Sequence, residues 1–163
     1  MVKKLLFIVF LSISFLASSI AQNPSTVIGE INNGVFELNE HQSSLVKAFE
    51  WTFRDGTKVV DLKIEQLGNT YFVIATCAYQ GRKKIAALDL EQVGISFVLS
   101  EDAQFKICSA VACETCKFFL ENSKIVACKC EETGTISNHC HYKSLPGTGF
   151  YANLQRAIKL KKD

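Results

Sequence analysis

Six of the chain's seven cysteines and two of its three histidines lie within residues 108–142, CSAVACETCKFFLENSKIVACKCEETGTISNHCHY. Thiols and imidazoles at this density suit a soft metal, a dithiol redox couple or a disulfide framework. Each makes a different demand on spacing. A tetrahedral zinc site takes four nitrogen or sulfur ligands. Cys113 and Cys116 of the C-x-x-C, one or both of Cys128 and Cys130, and one of His139, Cys140 or His141 would supply them. A redox couple would use Cys113-Glu114-Thr115-Cys116. Such a couple needs its first cysteine at a helix N-terminus, where the thiol pKa is depressed, whereas Lys117-Phe118-Phe119-Leu120 continues as strand.

Disulfides ask only for an even count, an oxidising compartment and backbone proximity. Cys108, Cys113, Cys116, Cys128, Cys130 and Cys140 therefore read first as three disulfides without a cofactor, with zinc as the alternative. Six cysteines allow many pairings. Only Cys128 with Cys130 is excluded, because an extended i, i+2 pair is badly placed for S–S geometry. Cys77 stands apart from the six, in an apolar run, and is expected to remain a buried free thiol.

The compartment weighs on this choice. Met1-Val2-Lys3-Lys4 precedes the apolar stretch LLFIVFLSISFLASSI, and Ser19-Ile20-Ala21 presents small residues at a cleavage site. This pattern reads as a secretory signal peptide, residues 1–21. The apolar run is interrupted by serines and falls short of the roughly 18 residues that a spanning helix wants. The mature chain is thus expected to be secreted or periplasmic, with no stable membrane anchor. The leader takes two of the 18 Lys/Arg with it, leaving the 16 Asp/Glu balanced. A neutral chain has no electrostatic footprint for nucleic acid.

The elements that must position the cysteines follow from periodicity. Asn32-Asn33-Gly34 between apolar runs predicts a hairpin. Asn39, with Gln42 three residues on, predicts a helix start. Leu45, Ala48, Phe49, Thr52 and Phe53 recur at helical spacing until Asp55-Gly56. From Lys58 the period becomes two: Val60, Leu62 and Ile64 share one face, and 70–79, 82–91 and 95–99 complete an antiparallel meander. The expected fold is α+β, one long helix packed on this meander. Cys116–Leu120 and Ile125–Cys130 then form a hairpin that carries Cys116, Phe118, Leu120, Val126, Cys128 and Cys130 on one face. Residues 22–102 would be the core, 103–145 a cysteine-rich module, and 146–163 a basic tail. In that tail Phe150, Leu154 and Ile158 make a helical stripe.

The order of strand, helix and meander over residues 27–99 resembles the layout of cystatin-like domains. That resemblance implies a helix wrapped by a sheet, and protease inhibition. The family's Gln-x-Val-x-Gly turn is not reproduced: the corresponding turn reads Glu65-Gln66-Leu67-Gly68-Asn69. No nucleophile–base–orienter set, phosphate loop or paired-carboxylate signature appears in the sequence. The expected function is a disulfide-stabilised binding or structural module. The alternatives are a metal-binding protein and a thiol-disulfide redox protein or protease inhibitor. No motif specifies the partner, whether protein or small ligand, or the oligomeric state.

Overall fold

The structure, a computed structural model, describes residues 25–132 and 139–162. The expected leader, residues 1–21, lies outside the described residues. In chain order the elements are β1 (Ser25–Asn32), β2 (Val35–Leu38), α1 (Gln42–Phe53), β3 (Lys58–Leu67), β4 (Thr70–Tyr79), β5 (Arg82–Val93) and β6 (Ser96–Ser100). They continue with β7 (Gln104–Ala110), β8 (Cys116–Glu121), β9 (Lys124–Cys130), β10 (Cys140–Pro146) and α2 (Thr148–Lys162).

The expectation of one long helix packed on an antiparallel meander is overturned. Of the described residues, 58% are strand, in a nearly closed, barrel-like antiparallel sheet. β5 is the reason. Its residues 82–90 pair with β4 and its residues 84–88 with β7, while residues 91–93 pair with β6. β6 then leaves β5 and pairs with β1, which pairs with β2. One twelve-residue strand thereby joins two directions of sheet. The curl brings β1 and β2 towards β3, where a Cβ on Gly29 would collide with the Glu37 carbonyl and the Ile64 side chain. Glycine is what permits that approach.

The long helix is also corrected. α1 has twelve residues, and the longer helix is α2, with fifteen. α1 starts at Gln42 rather than after an Asn39 cap: the Asn39 carboxamide oxygen accepts the His41 N–H (2.9 Å), an Asx turn ahead of the helix. Its end is made by Arg54 in the left-handed region, with Gly56 also at positive φ. The two helices pack on each other, and Arg156 stacks over Trp51 with 5.2 Å to the ring centroid.

Period two in the central strands separates two cores. Val73, Ala75, Cys77, Ala86, Leu88 and Phe105 face the helices, where Phe49 meets Phe105 and Phe150. Phe72, Ile74, Ala87, Cys108 and Ala110 face the other way, onto the β8–β9 hairpin. The sheet is thus sandwiched between a helical layer and a cysteine-bearing layer. In β3 a bulge between Val59 and Asp61 turns Val59 inward and leaves Val60 69% exposed, so Val60 does not share the face of Leu62 and Ile64.

Candidate functional site

The hairpin that carries the cysteines turns through Asn122 and Ser123, both at positive φ, as a two-residue turn between twisted strands requires. Its register sets Cys116 opposite Cys130 and Phe118 opposite Cys128. The expected face is partly redrawn by a bulge between Phe119 and Leu120. Val126 turns out to solvent and Ile125 is buried in its place. The tip rests on the β3–β4 turn: a Cβ on Gly68, itself at φ +65°, would lie 2.8 Å from the Ser123 Cβ.

Two disulfides fasten this hairpin to the sheet. Cys108 of β7 is bonded to Cys128 of β9, with the Cα atoms 5.8 Å apart. Cys116 of β8 is bonded to Cys140 of β10, at 5.9 Å. β7 and β10 are themselves paired, Cys140 opposite Ala110, so both bridges anchor on adjacent strands. Backbone bonds extend each pair by one step, from Val111 N–H to the His139 carbonyl (2.8 Å) beside β7–β10 and from Glu131 N–H to the Thr115 carbonyl (3.0 Å) beside β8–β9.

Cys77, Cys113 and Cys130 are thiols. Cys77 is fully buried in the helix-side core, and that burial pushes its pKa up to about 12. Cys113 lies in the loop between β7 and β8, its Sγ 3.5 Å from that of Cys116 and 3.2 Å from that of Cys140. Burial and the neighbouring Cys130 thiol push it, too, up to about 12. The Cys130 thiol donates to Glu132 Oε2 at 2.8 Å. The Thr115 backbone N–H donates to Glu132 Oε1 (3.0 Å), and its hydroxyl lies between Glu131 Oε2 (2.8 Å) and Glu132 Oε1 (3.2 Å). The Cys130 thiol, the backbone amide of Glu132 itself and Thr115 together hold the Glu132 carboxyl at about 2, and it is ionised at neutral pH.

Among the described residues, two groups of potential ligands have ligand atoms mutually within 4.8 Å: Cys113 with Cys116 and Cys140, and Cys113 with Cys130 and Glu132. Neither group contains Cys128, His139 or His141. Cys128 is committed to Cys108. His141 is exposed and borders a cavity of about 220 Å³ together with Asp55, Lys84 and Lys143. Sequence reasoning passed over Glu132. The signal available was the run Cys128-Lys129-Cys130-Glu131-Glu132, a carboxylate two residues beyond a thiol.

A second feature lies where the hairpin meets the sheet. An open cleft of about 260 Å³ is lined by the apolar Leu67, Ile74, Ile85, Phe118 and Leu120 and by the charged Lys63, Glu65 and Lys117. Lys63 pairs with Glu65 at 2.9 Å. On the helix side of the sheet, Lys84 donates to Asp55 (2.5 Å) and to the Thr57 hydroxyl (2.9 Å) and sits over the Tyr79 ring at 4.3 Å. Among the described residues no helix is long and apolar enough to cross a membrane. No protein family, curated protein or solved structure matches this chain.

Proposed function

We propose that the protein is a secreted or periplasmic binding module whose contact surface is the disulfide-held hairpin and the cleft beneath it. The observation that carries this reading is the placement of the two bridges. They fix a separate two-stranded sheet against the outer face of the main one, while the apolar cleft at the junction stays open. Recognition surfaces of this kind combine a rigid scaffold with a few polar groups around apolar walls. In an oxidising compartment Cys113 and Cys130 close as the third bridge, which agrees with the signal-like leader and with the proximity of the two thiols.

Lys63 and Glu65 offset each other in the lining, and the remaining charge, Lys117, favours a ligand with an apolar body and an acidic group. Screening amphiphilic carboxylates and neutral apolar fragments by amide chemical shifts tests this. Shifts should cluster at Ile74, Ile85, Lys117 and Phe118, and Lys117→Glu should weaken the acids while sparing the neutral fragments. Shifts scattered over the surface would count against the cleft. Dithiol-dependent turnover that disappears in Cys113→Ser would instead assign thiol-disulfide exchange, the chemistry that the 3.2 Å approach of Cys113 to Cys140 favours. The high pKa of Cys113 opposes that alternative, because the thiolate is the nucleophile.

A further inference from the structure

We propose that, while Cys113 and Cys130 are reduced, they and Glu132 bind one borderline-soft divalent cation of the zinc class, leaving both disulfides intact. The donor set suits such an ion: two sulfurs and one carboxylate oxygen, and since Cys113 is half-buried and Glu132 exposed, water would complete the four. Zinc–sulfur bonds of about 2.3 Å and zinc–oxygen bonds of about 2.0–2.2 Å in a tetrahedron separate ligand atoms by roughly 3.5–3.8 Å. The three ligand atoms already lie within 4.8 Å of one another.

The surroundings orient the site. The Thr115 N–H falls on Glu132 Oε1, and the Thr115 hydroxyl, shared with Glu131 Oε2, lies against the same oxygen, which leaves Oε2 directed at Cys130. Outer partners that hold a ligating carboxylate in this way are a regular part of metal sites. The Cys130 proton now lies between sulfur and Oε2, in the place where the cation would bridge them. Binding replaces it: two thiols and one M²⁺ give two metal–thiolate bonds and release two protons, with no change of oxidation state. Two thiolates and one carboxylate then leave the site with a single negative charge. Cys116 and Cys140 take no part, being bonded to each other.

Closure of the third bridge and binding of the cation use the same two sulfurs, so each excludes the other. The test uses full-length mature protein in which a phosphine has reduced only the Cys113–Cys130 pair, each phosphine becoming its oxide as one disulfide gains two hydrogens from water. Cobalt(II) is the probe. The expected result is one cobalt per chain, with thiolate-to-cobalt charge-transfer absorption of two-thiolate intensity and tetrahedral ligand-field bands, both displaced by zinc. Protein with the third bridge closed should bind none, and zinc-loaded protein should resist its oxidation.

Cys113→Ser should abolish the charge-transfer band, while Cys77→Ala should leave it unchanged. Glu132→Gln, at an exposed position where folding is not at stake, should weaken binding about tenfold or more. The proposal is overturned if the dithiol protein binds no cobalt, if Glu132→Gln binds as the parent does, or if binding appears only after Cys116–Cys140 is reduced, with four-thiolate intensity. None of these outcomes bears on whether the cleft binds acids, so the two readings fail separately.

Discussion

Asp55 is a junction between α1 and the sheet. Its partial burial raises the carboxyl pKa, but the bonds from Lys84 and from the Thr57 hydroxyl and N–H outweigh that and bring it from the ordinary 3.8 to about 2. A depressed carboxyl pKa stabilises the fold above the unfolded-state value, and the contribution is lost as pH falls through the folded-state value. Asp55→Asn should therefore be less stable than the parent at neutral pH, with the difference shrinking between about pH 4 and about pH 2. Denaturant titrations at stepped pH measure it. A difference that is constant with pH would remove the ion pair from the account. Cys77 belongs to the same scale. With its sulfur buried and its pKa at about 12, it should resist alkylation in the native protein and react fully once the chain is unfolded. The sequence made Cys77 legible through its apolar neighbours. The local halves of the Asp55 and Glu132 arrangements, Thr57 and Cys130, lie two residues away, but the partners Lys84 and Thr115 lie 29 and 17 residues away, where no local pattern links them.

The hairpin is the element on which the chemistry depends. Its turn and its strands follow from Glu121-Asn122-Ser123-Lys124 between alternating residues, but its register does not. A single bulge decided that Ile125, and not Val126, is buried, and that Cys116 faces Cys130. Bulges satisfy packing against another layer, here Phe72 and Ile74 of β4, and packing is invisible to a local reading. The bridges are what hold this small two-stranded sheet in place, since an isolated hairpin is marginal in water. Replacing Cys108 and Cys128 together by serine should cost about 2–5 kcal/mol. Amide exchange should then rise first in β8 and β9, with the helix-side core retaining its protection. Equal loss of protection throughout would show that the hairpin and sheet unfold as one unit.

Across the whole molecule, the sheet's curl rests on contacts between distant segments. β1 pairs with β6 some seventy residues later (Ser25 opposite Ser100), and β10 returns to β7 from beyond the hairpin. Strand positions were readable from period two. The closure was not, because β5 pairs with β4, β6 and β7 over different parts of its length and nothing in its own twelve residues announces the division. What the two readings share is the burial of α1. Phe49 is fully buried, with its ring 4.7 Å from that of Phe150 and 5.7 Å from that of Phe105. Phe49→Ala should cost about 3–5 kcal/mol by thermal or denaturant unfolding. Lys63→Ala, at the exposed cleft edge, should stay within about 0.5 kcal/mol. Equal small effects would mean that the helix is not part of the core.

The hairpin is covalently fastened to the sheet by one particular pairing of cysteines, Cys108 with Cys128 and Cys116 with Cys140. Peptide mapping of non-reduced protein, produced in an oxidising compartment and alkylated under denaturing conditions, measures that pairing directly. The predicted result is Cys108 linked to Cys128, Cys116 linked to Cys140 and Cys113 linked to Cys130, with alkylation at Cys77 alone. Cys116 or Cys128 linked to any other partner, or all seven cysteines alkylated, would contradict it.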